Sequence, residues 1–187
     1  MSRRLQSPAA RERRSPTRRR RASGLPAFER VLEEHGPPLL RFCAAQARPD
    51  GAEDVFQETM LSALRGYDEL RDPASIRSWL YSIAARKAID SHRAQARAPE
   101  PLADPEPPSR TDDDIAFVDD AVWAPVRGLP DKQRQAVTLR FLGDLSHREI
   151  AAVMATSEAA ARRNVFEAIR RLRGDLESSS TPEGTTR

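Results

Sequence analysis

The sequence is poor in the residues from which disulfides and metal sites are built. Cys43 is the one cysteine among 187 residues, so an internal disulfide is impossible and no thiolate cluster can hold zinc. The three histidines stand at positions 35, 92 and 147, without the close pairing of metal ligands. We therefore expect no metal site and no cofactor.

Long apolar runs and aromatic side chains are also scarce. No apolar stretch approaches the roughly 20 residues that a membrane-spanning helix needs, and the arginine-rich N-terminus lacks the apolar segment of a signal peptide. Aromatic residues make up 5% of the chain and charged residues 32%, which suits small helical modules better than a deep catalytic cleft. No nucleophile–base pair or phosphate-binding loop stands out. We expect a cytoplasmic protein, without membrane insertion and without enzymatic activity.

The net charge of +3 conceals a strong partition along the chain. Residues 1–25 hold nine arginines, one glutamate and almost nothing apolar, which predicts a disordered tail. Such a tail could bind nucleic acid through phosphate charge, or it could be solvated, or arise from a start codon assigned too far upstream. Residues 98–121 hold one arginine and eight acids, and five prolines fall within 99–108. This composition predicts a flexible linker at 98–112.

The other residues form two blocks with helical periodicity, 26–97 and 113–175, and a second disordered tail is expected at 176–187. The predicted fold class is therefore all-α, with two small helical domains joined by a flexible, proline-rich acidic linker.

The C-terminal block carries the pattern of a helix-turn-helix between Leu145 and Arg173. Ser146 with Glu149 forms a capping box that begins a short helix. A second start at Thr156–Ser157 opens a helix whose apolar stripe is Ala161, Val165, Ala168, Ile169 and Leu172. Arginine and asparagine on its other side suit contacts with guanine and adenine in the major groove. The alternative is a plain helical pair with solvated arginines.

Residues 52–66 predict an amphipathic helix, whose buried stripe is Phe56, Met60, Ala63 and Tyr67. Its other side is an acidic face with one apolar residue, made of Asp54, Gln57, Glu58 and Leu61. Such a face is either solvated or a docking surface for a basic partner, and composition does not decide between the two.

The next helix, predicted at about 74–97, is basic. One face carries a tryptophan and a row of polar and charged side chains: Trp79, Ser82, Arg86, Asp90, Arg93 and Arg97. An aromatic ring beside arginines suits stacking on exposed bases and contact with phosphates, although Trp79 could instead anchor the core. Asp90 is expected to pair with Arg86 or Arg93, one turn away on either side.

Three strings occur in order along the chain: AEDVFQETMLSAL, SIRSWLYSIAARKAIDSHR and LPDKQRQAVTLRFLGDLSHREIAAVMATSEAAARRNVFEAIRRLR. Together they resemble the two domains of the extracytoplasmic-function (ECF) group of bacterial RNA polymerase sigma factors, over about residues 27–97 and 113–175. The resemblance implies a non-enzymatic subunit that binds core polymerase and directs it to promoter DNA. Many members of the family are also held by an anti-sigma factor, which is therefore a candidate partner.

The resemblance implies a role for each surface. The acidic face would dock on the coiled coil of the polymerase β′ subunit through Asp54, Gln57, Glu58 and Leu61. The basic helix would melt and read the minus-ten element on the non-template strand, after a loop at 71–78 that corresponds to the family's pocket for a flipped base. Its implied DNA contacts are Trp79, Ser82, Arg86, Lys87, Arg93 and Arg97. The last helix would read the minus-thirty-five element as duplex, through Ser157, Glu158, Ala160, Arg162, Arg163, Asn164 and Arg170.

The sequence departs from the family pattern at several of these positions. Arg162 stands where the family commonly has lysine, Asn164 where it has arginine, and Ala160 replaces a threonine. In the first block, Lys87 occupies a position often filled by asparagine. The departures predict that the promoter sequence differs, while the fold stays the same.

From the residues alone, two other functions stay open. An autonomous repressor or activator would use the helix-turn-helix without polymerase, and it would carry a ligand or receiver domain in place of the first block. A protein that sequesters a sigma factor would lack the basic helix with Trp79 and would bind no promoter DNA.

Overall fold

A computed structural model of the chain describes residues 24–47, 51–97 and 120–179, without the side chains at 95, 97, 120–122 and 176–179. Two short 3-10 turns, Tyr67–Glu69 and Pro73–Ser75, lie between the second and third helices. Within the described ranges there is no strand, and the predicted all-α class is confirmed. The seven helices there are α1 Phe28–Gln46, α2 Ala52–Gly66, α3 Ile76–Arg97, α4 Asp120–Arg127, α5 Asp131–Phe141, α6 His147–Val153 and α7 Glu158–Ser179.

The predicted segments map onto these ranges unevenly. Residues 1–23 of the N-terminal tail, the linker at 98–112 and the first residues of the second block, 113–119, lie outside the described residues. The last helix continues to Ser179, so the expected disordered tail at 176–187 was wrong for its first four residues; residues 180–187 lie outside the described ranges. None of the helices in the described part is long and apolar enough to cross a membrane.

The first three helices form a bundle around an apolar core. Leu39 and Phe42 of α1 and Leu80 and Ala84 of α3 are fully buried there, because each of these helices presents an apolar stripe to the others. The hydroxyl of Tyr67 donates a hydrogen bond to the backbone carbonyl of Pro26 at 2.8 Å and ties the start of α1 to the end of α2.

The buried side of α2 differs from the predicted stripe. Ala63 and Tyr67 are buried as expected, but Phe56 and Met60 are only half-buried. Val55 and Thr59 are buried instead, and the Thr59 hydroxyl donates to the Val55 carbonyl at 2.6 Å. The reason is that α2 packs against both α1 and α3, which rotates the centre of the buried arc toward Ala63.

The last four helices form a second bundle, with α7 packed mainly on α5 and α6. Leu139, Ala161 and Ala168 are fully buried in it. After α5 the chain turns at Gly143, where a Cβ atom would lie only 2.7 Å from the carbonyl oxygen of Leu139. No residue with a side chain fits that turn without a shift, which explains why the helix ends there.

The two bundles pack directly against each other, a contact that the sequence pattern did not predict. The amide of Gln46 in α1 donates to the hydroxyl of Thr138 in α5 at 2.8 Å, and both side chains are buried. The hydroxyl of Tyr81 in α3 donates to the carbonyl of Leu142 at 2.8 Å. The Tyr81 ring also meets the Phe42 ring of its own bundle edge-on, with centroids 5.1 Å apart. One continuous cluster of buried apolar residues, which includes Tyr81 and Leu139, runs through both bundles.

Candidate functional site

The acidic face of α2 is open to solvent. Asp54, Gln57, Glu58 and Leu61 are all exposed, as the helical period predicted. Leu61 retains 52% of its accessible surface and Leu64, one turn further round the same face, retains 55%. Two exposed leucines on an otherwise charged helix face are typical of a protein-binding surface. Leu64 was not among the predicted surface residues, although its position beside Leu61 on the helical wheel indicates the same exposed face. We call these five residues the α2 face.

Glu58 of the α2 face forms an ion pair with α3, the helix that the family resemblance assigns to minus-ten DNA. The carboxylate of Glu58 lies 3.1 Å from the ammonium group of Lys87 in α3. Lys87 is half-buried at the edge of α3 that packs on α2, away from the arginine row on the same helix. An ion pair so open to water contributes about 0–1 kcal/mol, so it orients the two helices more than it stabilises them.

The polar row of α3 faces solvent. Arg86 and Arg93 are exposed, whereas Ser82 is half-buried and its hydroxyl donates to the Trp79 carbonyl at 2.7 Å. Arg97 lies at the end of α3, and its side chain is outside the described residues. The expected ion pair of Asp90 with Arg86 or Arg93 is absent from this part of the chain: Asp90 is exposed and the arginines stay free for another partner. We call Trp79, Ser82, Arg86 and Arg93 the α3 row.

The Trp79 ring is positioned both to anchor the core and to offer a surface for an exposed base. One side of its ring packs on Gly66, where a Cβ would lie 3.4 Å from the ring, and its centroid is 6.3 Å from that of Tyr67. The ring is nevertheless only half-buried, so part of it faces solvent beside the arginines. A ring held in this way loses little conformational entropy when a base stacks on it.

The loop before α3 is held by its own hydrogen bonds. The side chain of Asp72 accepts a hydrogen bond from the Ala74 backbone N–H at 3.0 Å, and the Ser75 hydroxyl donates to the Asp72 carbonyl at 2.7 Å. Ser78 in turn donates to the Ser75 carbonyl at 3.1 Å. These bonds fix the entry to α3 at the segment that the family resemblance assigns to a flipped base.

The helix-turn-helix forms as predicted from α6 and α7. Ser146 and Glu149 make the expected capping box at the start of α6, and these hydrogen bonds hold the pKa of the Glu149 carboxyl below its usual range. The Ser157 hydroxyl accepts a hydrogen bond from the Ala160 N–H at 3.2 Å and caps the start of α7. Between the helices, the Thr156 N–H donates to the Ala151 carbonyl at 2.9 Å.

The turn between α6 and α7 is strained at Ala155, whose φ is +48°. An L-residue in the left-handed region costs about 1–2 kcal/mol, and glycine avoids that cost at the expense of a more flexible unfolded chain. Ala155→Gly is therefore expected to raise the free energy of unfolding by about 0.5–1 kcal/mol, and Ala155→Val to lower it. Urea denaturation followed by circular dichroism measures both. A glycine variant with a lower free energy of unfolding than the parent would show that the backbone at Ala155 is not strained.

The outward side of α7 is a nearly continuous cationic surface. Ala161, Val165 and Ala168 point into the core, and Arg163 and Arg170 on the opposite side are exposed, without an ion pair among the described residues. Ser157, Glu158 and Arg162 are also exposed, while Ala160 and Asn164 are half-buried. The guanidinium of Arg162 lies 3.0 Å from the Glu158 carboxylate. The predicted contacts therefore lie in the N-terminal part of this helix, up to Arg170, with Arg163 and Arg170 together on the side opposite the core.

Phe166 lies between the arginines of α7 and was not among the predicted DNA contacts. It keeps 65% of its surface, and its position places it between Arg162 and Arg163 on one side and Arg170 on the other. A phenylalanine at a position that should be polar in an amphipathic helix was the signal that could have found it. We call Arg162, Arg163, Phe166 and Arg170 the α7 face. Glu167 faces another way, and its carboxylate accepts a hydrogen bond from Gln133 at 2.9 Å.

Comparison with known proteins decides the family. The Sigma-70 region 2 model matches residues 31–98, and the Sigma-70 region 4 model matches residues 120–172. The ECF RNA polymerase sigma factor SigD of Mycobacterium tuberculosis is 31% identical over 167 residues, which cover 80% of this chain and 77% of SigD. The chain belongs to the ECF RNA polymerase sigma factors. It is a subunit that directs promoter-specific initiation of transcription by RNA polymerase.

Further relatives agree with this assignment. The ECF sigma-E factor of Salmonella typhimurium strain LT2 is 29% identical over 134 residues, covering 62% of this chain and 68% of that protein. Among solved structures, the fold matches the sigma factor RpoE in complex with the anti-sigma factor NepR from Bartonella quintana, with a TM-score of 0.64, 22% identity, and coverage of 80% of this chain and 96% of RpoE. It also matches CnrH in complex with the cytosolic domain of CnrY, with a TM-score of 0.60, 22% identity, and coverage of 82% and 89%. We refer to α1–α3 as region 2 and to α4–α7 as region 4.

Proposed function

We propose that this ECF sigma factor uses three separate surfaces, one for polymerase and two for promoter DNA. The exposed leucines and acids of the α2 face support docking on the β′ subunit of core polymerase, because they offer apolar area inside a negative rim. Leu64 extends the contact implied by the family resemblance. In this proposal region 2, within residues 26–97, carries both the docking site and the minus-ten contacts.

The α3 row supports capture of the melted minus-ten strand. Its free arginines can neutralise phosphates, and the half-exposed ring of Trp79 offers a surface for a base. Lys87 is tied to Glu58, so its contribution to DNA depends on that pair being released. Arg97, at the end of the same helix, extends the proposed row.

The α7 face supports reading of the minus-thirty-five duplex by region 4, within residues 113–175. This is the observation that carries the proposal: two unpaired arginines flank an exposed phenylalanine on one side of a helix whose first residues are open to solvent. Arginine pairs with guanine in the major groove, and phenylalanine contacts the methyl group of thymine. Ser157 and Asn164 supply shorter polar contacts at the same end.

The location and the non-enzymatic role of this subunit follow from its binding to RNA polymerase and DNA. We propose a cytoplasmic, non-enzymatic subunit, since RNA polymerase and the chromosome are its partners and polymerase itself performs the chemistry. An anti-sigma protein is a further candidate partner, because the sigma factor RpoE is bound to the anti-sigma factor NepR in one of the similar structures.

The single-strand contact is tested by removing the arginines of the α3 row. Arg86→Ala combined with Arg93→Ala should lower the affinity of the holoenzyme for a non-template minus-ten oligonucleotide about tenfold, and flatten its salt dependence by roughly one to two units of slope. Fluorescence anisotropy at several salt concentrations measures this. Arg30→Ala, which removes an exposed arginine from α1, is the matched control. Unchanged affinity and slope in the double variant would refute the assignment.

A further inference from the structure

The arginine-rich residues 1–23, which lie outside the described ranges, have no part in docking or in DNA reading as proposed above. They carry nine arginines and one glutamate, and four of the arginines follow one another at 18–21. We call residues 1–23 the arginine tail and residues 18–21 its arginine run. So dense a run of guanidinium groups suits a partner with closely spaced negative charges, such as the phosphate backbone of DNA.

The arginine tail joins the described fold beside Trp79. Gly24 is exposed, but Leu25 packs against the apolar core and fixes the chain there. The carbonyl of Pro26 accepts the hydrogen bond from the Tyr67 hydroxyl, and the Tyr67 ring lies next to the Trp79 ring. One ring therefore separates the fixed end of the tail from the ring that would take a base of the melted strand.

The surface next to this attachment point is acidic. Three acids and one arginine, all exposed, stand in the segment that leads from α2 to α3: Asp68, Glu69, Asp72 and Arg71. The arginines of the α3 row begin at Arg86, about two turns beyond Trp79. A strand whose base stacks on Trp79 therefore meets few cations of the described residues where it passes the loop at 71–78.

The arginine run is close enough to supply the missing cations. Arg21 lies five residues before Pro26, and Arg18 lies eight residues before it. At about 3.5 Å per residue, the whole run stays within about 30 Å of Pro26 in any conformation. Cations tethered at so short a distance meet a strand bound at Trp79 at an effective concentration of about millimolar.

We propose that the arginine tail is a further DNA-binding arm, which neutralises phosphates of promoter DNA beside the base held on Trp79. This inference rests on the proposed capture of the minus-ten strand by region 2. Because the contact is with phosphate, the tail adds affinity without adding sequence preference. Each neutralised phosphate releases counterions, so the added affinity falls steeply as the salt concentration rises.

The acidic surface of region 2 is the other partner that the charge of the tail allows. Its exposed carboxylates include Glu29 and Glu33, one turn apart on α1, and Asp54 and Glu58, one turn apart on α2. Duplex DNA carries one negative charge per about 1.7 Å of its length, whereas one helical turn is about 5.4 Å. The higher charge density of DNA favours it as the partner of four consecutive arginines.

The test compares the holoenzymes of the parent chain and of three tail variants on DNA of a promoter that the parent selects, with the minus-ten strand left single-stranded. The first variant replaces the whole run, with Arg18→Gln, Arg19→Gln, Arg20→Gln and Arg21→Gln. The second places lysine at the same four positions and keeps their charge. The third combines the four glutamines with four arginines added after Arg187, which restores the net charge at the other end of the chain. Fluorescence anisotropy at several salt concentrations gives affinity and salt dependence.

We expect the glutamine variant to bind this DNA more weakly than the parent, most of all at low salt. Four phosphate contacts contribute roughly three units of slope in a plot of log affinity against log salt concentration. The advantage of the parent should therefore shrink about a hundredfold between about 50 and 200 mM salt. The lysine variant should keep most of the slope of the parent, and arginines after Arg187 should not restore it.

A glutamine variant with the affinity and slope of the parent would overturn the arm. Full recovery by the arginines added after Arg187 would do the same, because position beside Trp79 would then have no effect. Tighter binding of core polymerase to the glutamine variant, with an unchanged DNA slope, would place the tail on the acidic surface of region 2 instead. Failure of the proposed function has a different result: the parent holoenzyme then binds no promoter DNA at all, and the arm fails with it.

Discussion

Reversing the charge of the α2 face, with Asp54→Arg and Glu58→Arg together, should lower the affinity for core RNA polymerase at least tenfold. Both carboxylates are exposed beside Leu61 and Leu64, so a basic partner surface would meet like charge instead of opposite charge. Like-charge juxtaposition at an interface costs several kcal/mol, and about 1.4 kcal/mol already accounts for a factor of ten. Titration of labelled core polymerase with each purified variant measures the loss.

Two controls separate docking from folding. Glu33→Arg changes an exposed acid of α1 by the same charge and should leave the affinity for core unchanged. Asp54→Arg alone should retain most of the loss, and it leaves the Glu58–Lys87 ion pair intact. If core affinity is the same in the double variant and the parent, the α2 face is a solvated surface and polymerase docks elsewhere.

Removing Arg163 or Arg170 should weaken binding to the upstream duplex by about ten- to a hundredfold each, and leave core affinity intact. Neither arginine has an ion pair in the described part of the chain, so no internal partner is lost with it. A guanidinium that pairs with guanine contributes about 1–3 kcal/mol of discrimination, whereas a phosphate contact weakens all sequences alike. Binding of the holoenzyme to duplexes with single base changes distinguishes a contact with guanine from a contact with phosphate.

The same helix provides the matched control for that experiment. Arg171 is exposed but lies on another side of α7, so Arg171→Ala removes an equal charge outside the α7 face. Phe166→Ala should remove the preference for thymine over uracil at one position, because only the methyl group differs. An equal loss for Arg163→Ala and Arg171→Ala would show that the helix acts by charge alone.

Much of the local structure follows from short-range rules. The bounds of α2 were predicted to the residue, and the capping box at Ser146 and the inward stripe of α7 were also correct. These features depend on helical period and on hydrogen bonds between residues three or four apart, which a sequence displays directly. The exposed acids of α2 and the arginines of α7 were found for the same reason.

Features that depend on packing between distant segments could not be predicted. Helix α1 continues through Pro37 and Pro38, although prolines usually end a helix. The ion pairs of Lys87 with Glu58 and of Arg77 with Asp144 join different segments of the fold, so they can be identified only once the packing of those segments is known.

Transcription by core polymerase with and without the purified chain tests the assignment most directly. Genomic fragments are transcribed in vitro and the start sites are mapped at single-nucleotide resolution, with no inhibitor protein present. We expect new start sites that appear only with the chain and share two sequence elements at constant spacing. A folded chain that neither co-purifies with core nor changes the start sites would contradict its function as a sigma factor.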